Sequence, residues 1–171
     1  MKTKTPSSKE PHLDRVFTLN TNCGQIVFKA FGKRAPLTVI AMGNMAKAGY
    51  FTNTLCHRLT TAGIYVLQCG DPTASGSGGP AFTFPDENLP MVGSNNYPAG
   101  TIAMANAGPK TNGSQFFIVY KDTTLSPSYT IWGTITKGLG IVQKLAAAGV
   151  QGGGSDGKPN ITIALESVKV R

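Results

Sequence analysis

Charge is scarce in this sequence. Charged residues make up 14% of its 171 positions, against a usual figure of about 25%. Histidine is scarcer still: His12 lies near the N-terminus, so His57 is the one candidate base in the body of the chain. With no G-x-S-x-G run, and with Cys56 and His57 adjacent and therefore on opposite faces of a strand, hydrolysis by an activated nucleophile is excluded. His57 is expected to be a buried, hydrogen-bonded ring. The 3 cysteines, Cys23, Cys56 and Cys69, lack C-x-x-C spacing, which excludes a zinc ribbon or a disulfide scaffold. No long apolar run exists either. The uncharged stretch from Asn88 to Pro109 is broken by Pro90, Gly93, Pro98 and Gly100, so it cannot form a spanning helix. "MKTKTPSSKEPH" has no apolar core behind its lysines, so it is read as a solvated tail and not as a signal peptide.

Few acids leave a net charge of +8. The cations are spread along the chain, beginning with Lys2, Lys4 and Lys9, without clustering or interleaved aromatics, so no nucleic-acid binding is expected. Abundance lies elsewhere: 21 glycines and 11 prolines point to many tight turns and a mainly β fold. The expected organisation is a flexible basic tail over 1–14 and one domain over 15–171, with a core large enough to need no metal.

Apolar, β-branched runs at 16–21 and 24–31, separated by Asn22 and Cys23, predict a hairpin. Pro36, apolar residues at helical spacing and Gly49 predict a helix over 37–48. Two strands around a turn near Thr61–Gly63 are expected within 55–71, then a long irregular loop from Asp71 to Gly100, functional or disordered, with Phe82, Phe84 and the acids at 86–87 pinning parts of it. Further strands are expected at 101–105, 114–120, 129–136 and 160–170, and a second helix at 140–149. Eight antiparallel strands can close into a barrel, with two helices covering its ends. Cys56 and Cys69 sit on the two arms of one predicted antiparallel pair, close enough for a disulfide. Free thiols in a reducing compartment are the default reading, and both stay open.

Two stretches invite a functional reading. "GGGSDG" at 152–157 matches G-x-G-x-x-G, but it follows a helix and precedes a strand, the reverse of a dinucleotide loop, so it is read as a turn. "MANAGPKTNGSQFFIVY" at 104–120 packs amides and an aromatic pair around a single lysine. Arg58, on a strand with apolar neighbours, is either snorkelling at a rim or presenting its fork of donors to a ligand.

With "HR" at 57–58, "QCGDP" at 68–72, "GSGGP" at 76–80, "FPDEN" at 84–88 and "MANAGPKTNGSQFF" at 104–117, the chain resembles the cyclophilin-type peptidyl-prolyl isomerases over 16–170. The resemblance implies a closed eight-stranded antiparallel β-barrel capped by two α-helices, with a proline pocket on its outer face and no metal or cofactor. It gives Arg58 the catalytic arginine's position. Tyr65, Val66, Gln68, Ala105, Asn106 and Ala107 take groove-lining positions, as do Gln115, Phe117, Leu125 and Tyr129, while Gly76 and Ser77 edge a neighbouring pocket. Tyr129 stands where many members carry a histidine, and Thr124 where many carry a tryptophan that helps bind the family's cyclic-peptide inhibitor cyclosporin, so the absence of that tryptophan is expected to reduce inhibitor affinity. Proline-containing peptides and unfolded proteins are the implied partners, and the chain is expected to be a monomer. The sequence reads as cytoplasmic, yet it also resembles the catalytic part of actinobacterial relatives held outside the membrane by an anchor.

The chemistry suits these residues. The amide before proline is planar, with a rotational barrier of about 18–20 kcal/mol, and no covalent bond must break for it to turn. In the twisted state the nitrogen lone pair becomes an acceptor, to which an always-protonated arginine can donate. Phe117, Val66 and Leu125 suit the proline ring, Gln115 and the Asn106 backbone suit the flanking peptide, and a negative charge there would compete for Arg58. Phe116 is expected in the barrel core. The alternative is a proline-peptide adaptor or holdase with weak turnover.

Overall fold

Alternating apolar and polar residues set the first hairpin, in which β1 (Arg15–Thr21) pairs with β2 (Gly24–Ala30) around a tight turn with Thr21 opposite Gly24. Phe17, Leu19, Ile26 and Phe28 turn inward and are almost wholly buried. The computed structural model describes residues 4–171, so Lys2 of the basic tail lies outside the described residues. Before β1, Glu10 accepts a hydrogen bond from Asn44 at 3.3 Å and Asp14 pairs with Lys29 at 3.1 Å.

Next come α1 (Pro36–Lys47), β3 (Thr54–Leu55), β4 (Arg58–Thr60) and β5 (Val66–Cys69), then, after the long loop, β6 (Thr101–Met104), β7 (Phe116–Val119) and β8 (Ile131–Lys137). The chain finishes with α2 (Leu139–Ala147), β9 (Asp156–Gly157) and β10 (Ala164–Val170). The last strand starts later than the 160–170 expected because Asn160 is spent on α2: its N–H bonds Gly149 O at 2.9 Å and its side chain bonds Ala148 O at 2.7 Å.

All ladders are antiparallel, in the order β3-β10-β1-β2-β8-β6-β7-β5-β4-β9. β3 and β4 are two ends of one run, 54–60, interrupted at Cys56 and His57. That run pairs with β10 at its start and β5 at its end, so it joins both edges and the sheet closes on itself. Counting it once and leaving aside the two-residue β9 gives the eight strands expected. Closure leaves no long edge to aggregate.

The interior is aromatic. Phe17 stacks on Phe28 at 5.0 Å, and Trp132 meets both rings edge-on at 5.3 and 5.1 Å. α1 packs on β10 through residues such as Val39, Met42 and Met45, and α2 packs on β2 through Val142 and Leu145. Cys56 and Cys69 form a disulfide within this core; Cys23 is free.

The long loop is pinned by specific polar contacts. α1 has no side-chain cap of its own; instead the Glu87 carboxylate accepts from Leu37 N at 3.0 Å and Thr38 N at 2.9 Å, satisfying orphan donors at the positive end of the helix. Asp86 accepts from Lys110 N and Asn112 Nδ2, tying "FPDEN" to the 104–117 stretch. The buried Tyr97 hydroxyl bonds the backbone of Tyr129 in both directions, at 2.9 and 3.0 Å.

Candidate active site

Strand register assembles the site. Arg58 on β4 lies opposite Gln68 on β5, Gln68 opposite Phe117 on β7, and Phe117 opposite Ala103 on β6. Directly paired residues share a face, so these four form one row across the outside of the barrel. Phe116, one position away, points inward and meets Trp132 edge-on at 6.1 Å. That alternation explains why the sequence needs two adjacent phenylalanines: one fills the core and the other floors the groove.

A cavity of about 140 Å³ opens on this row, lined by Arg58, Ile64, Val66, Gln68, Ala105, Asn106, Phe117, Leu125 and Tyr129. Its floor is a separate small apolar cluster in which Val66, Tyr97, Ala103, Phe117 and Val119 pack beneath Leu125 and Tyr129. The Phe117 and Tyr129 rings meet edge-on at 5.6 Å. Beside it lies a second cavity of about 480 Å³, bordered by Gly76, Ser77, Ala107 and Gln115 and sharing Gln68, Ala105 and Asn106 with the first. The predicted residues are thus brought together in one groove with two pockets, with one exception.

Tyr65 is that exception and is corrected. It packs on the other side of the ladder, edge-on to Tyr120 at 6.0 Å and beneath Lys121, whose ammonium is 4.4 Å from its ring centre. Ile64 takes its place in the groove. The cause is local: Ile64, Val66 and Gln68 face the groove at every second position, so Tyr65, between two of them, points to the other side with Leu67 and Cys69. Thr124 is exposed and outside the lining; its hydroxyl accepts from Asn95 N at 2.8 Å.

One chain of hydrogen bonds fixes the polar wall. Gln115 Nε2 donates to the carbonyls of Gly76 and Gly78, both at 2.9 Å, which turns its oxygen towards Gln68 Nε2 at 2.8 Å. The Gln68 oxygen then accepts from Arg58 Nη1 at 3.2 Å. At the far edge of the guanidinium, Nε and Nη2 donate to the two oxygens of Asp156 at 2.8 and 2.7 Å. Sequence reasoning missed Asp156: it lies in the glycine-rich turn, 98 positions from Arg58. The Asn106 amide is spent on Ser128 O and Gly108 N. Among the described residues, its backbone N–H and C=O have no partner and are free for a bound peptide.

The loop that edges the second cavity is organised by Asp71, whose buried carboxylate accepts from the backbones of Thr73, Ser75, Gly76 and Gly78. Burial pushes its pKa up, but hydrogen bonds from Thr73, Gly78 and Gly76 win and hold it far below the usual carboxylate range. Two glycines are obligatory there: a Cβ on Gly70, at φ 91°, would collide with Ser114 O, and one on Gly78 with Asp71 itself.

Hydrogen bonding to Asp156 raises the Arg58 pKa further, so the guanidinium stays charged. His57 differs from expectation, since both ring nitrogens are buried without a partner among the described residues. Burial lowers its pKa, the Asp71 charge opposes that, and Arg58 adds to it.

The sequence profile described as "Cyclophilin type peptidyl-prolyl cis-trans isomerase/CLD" matches residues 16–170. "Probable peptidyl-prolyl cis-trans isomerase B" of Mycobacterium tuberculosis is 46% identical over 163 residues, covering 86% of this chain and 52% of that protein. "Peptidyl-prolyl cis-trans isomerase-like 1" of Homo sapiens is 39% identical over 134 residues, covering 74% of this chain and 76% of that protein. The crystal structure of a Cryptosporidium parvum cyclophilin type peptidyl-prolyl cis-trans isomerase superposes with a TM-score of 0.80 at 28% identity, covering 93% of this chain and 98% of that one. The chain spans about half the length of the mycobacterial relatives it matches. Among the described residues no helix is long and apolar enough to cross a membrane.

Proposed function

We propose that this chain, which belongs to the cyclophilin-type peptidyl-prolyl cis-trans isomerase family, accelerates rotation about Xaa-Pro bonds and so assists the folding of proline-containing chains. The observation that carries the reading is the shared cavity of Arg58 and Phe117. A proline ring seated on Phe117, Val66 and Leu125 brings its nitrogen to the end of the groove that Arg58 occupies. As the amide twists, resonance is lost and the nitrogen lone pair accepts a hydrogen bond from the guanidinium. That bond is stronger in the twisted state than in either planar isomer, which is what accelerates a reaction. No covalent intermediate is needed.

Further support comes from a structural relative with a TM-score of 0.78 and 28% identity, whose crystal structure was determined in the presence of the dipeptide Ala-Pro. Proline-containing peptides are therefore the proposed substrates here. Every groove residue comes from one chain, which fits a monomer. Cyclosporin is proposed to bind weakly, because Thr124 offers neither an indole surface nor its N–H. The Cys56–Cys69 disulfide favours an oxidising, extracytoplasmic setting over the cytoplasm, since reducing compartments keep such thiols apart.

Exchange spectroscopy on a short Xaa-Pro peptide tests the activity. Wild-type protein is expected to speed interconversion, and Arg58→Ala to lose most of that effect while still binding the peptide. A wild type that binds without accelerating exchange would instead be a proline-peptide adaptor.

A further inference from the structure

We infer that Asp156 is a positioning residue for Arg58, and that the glycine-rich turn carrying it exists to deliver that carboxylate. The inference rests on the proposed isomerase reading. Arg58 has five N–H donors in a rigid fork. Nε and one N–H of Nη2 go to Asp156, and one N–H of Nη1 goes to Gln68. One N–H on each Nη therefore remains for a substrate in the cavity that Arg58 lines.

The turn is built for this task. Its ends are tied by Gln151 N to Lys158 O at 2.8 Å and by the bridge between Val150 and Pro159. Gly152 and Gly153, at φ 82° and 75°, take left-handed conformations that a side chain would resist. The returning strand β9 then pairs with β4, placing Asp156 opposite Thr60 and so diagonal to Arg58 on the same face.

An acid beside the arginine could in principle draw it out of the groove. Here the carboxylate grips the edge remote from Gln68, and the guanidinium still lines the cavity. A long side chain that is 40% exposed would otherwise sample many rotamers. Held in a bidentate fork at one edge and by Gln68 at the other, it is oriented before substrate arrives, and such preorganised donors stabilise a developing acceptor without reorganising. An ordinary surface ion pair would have no effect on rate.

The test compares wild type with Asp156→Ala, Asp156→Asn and Asp156→Glu, measuring kcat and KM separately by exchange spectroscopy on an Xaa-Pro peptide, with the Arg58 Nε–H signal followed in each. Expected are a loss of kcat of about tenfold in the alanine and asparagine variants, with little change in KM. Partial recovery is expected in the glutamate variant, and an Nε–H signal sharp in wild type but broadened without the carboxylate. A wild type with no acceleration overturns the isomerase reading and this inference with it. An active wild type whose Asp156→Asn variant is folded by thermal melt and equally fast or faster overturns this inference alone, as does an Nε–H signal unchanged by the substitution.

Discussion

Arg58 and Phe117 stand two ladder steps apart on the barrel's outer face, each paired directly with Gln68, and both line the same cavity. One end of the groove is thus cationic and the other aromatic, with a planar amide between them. This separates the tasks of gripping the ring and receiving the lone pair. Arg58→Lys keeps the charge but loses the fork that Asp156 and Gln68 hold, so it is expected to lower kcat by about tenfold or more. Exchange spectroscopy at saturating peptide checks this.

Activity should be independent of pH from about 7 to 9, because Arg58 remains protonated throughout and the pKa of His57, its neighbour, is lowered below its ordinary value. In acid the rate should fall. Asp156 is held below its ordinary carboxylate range chiefly by its hydrogen bond from Arg58, so its hold is complete above the ordinary value and fades as pH drops through the depressed one. Arg58 stays charged over that acid range, whereas His57 beside it and Asp71 in the neighbouring loop also titrate in acid, so the Asp156→Asn variant is what assigns the change to this carboxylate. A pH–rate profile tests both limbs, and Asp156→Asn should abolish the acid one.

Asp71→Asn should destabilise the protein by about 1–3 kcal/mol, the cost of disrupting a buried acceptor, and should weaken peptides that reach past Gly76 and Ser77. Because the native carboxyl pKa is depressed, its stabilisation is present above about 3.9, the unfolded value, and is lost as pH falls through the native one. Urea titrations of wild type and variant should therefore show a gap at pH 7 that has begun to narrow at pH 3 and closes only nearer the depressed native value.

The alternation of Ile64, Val66 and Gln68 into the groove makes a prediction about neighbours. Ile64→Ala should raise KM for an Xaa-Pro peptide several-fold, whereas Tyr65→Phe, on the far side beneath Lys121, should leave it unchanged. The reverse pattern would contradict this assignment of faces.

Reducing Cys56–Cys69, or replacing both cysteines with alanine, should cost about 3 kcal/mol, the loop-closure value for a separation of 13 residues. Thermal melts with and without reductant measure it. Thiol counting on protein from its native compartment gives one free thiol, Cys23, if the bridge is formed there and three if it is not.

Much of this was legible because strand periodicity is local. The Phe116–Phe117 pair announces one inward and one outward ring, and Gln68, Asn106, Gln115 and Arg58 followed from motifs that survive as contiguous letters. Tyr65 was misplaced because the family motif was carried over without the same periodicity: with Val66 and Gln68 in the groove, the residue before Val66 has to face the other side. Asp156 was unreadable for a different reason: its partner is 98 residues away, and nothing in "GGGSDG" reveals which strand the turn folds against. The Glu87 cap on α1 was hidden likewise, since a helix normally advertises its cap in its own first residues.

The most direct measurement is the cis-trans exchange rate of a saturating Xaa-Pro peptide on wild type and on Arg58→Ala, with Phe117 ring shifts confirming that the groove is filled in both. The account predicts equal occupancy and an exchange rate about a hundredfold slower without the guanidinium. Equal occupancy with undiminished exchange would contradict it.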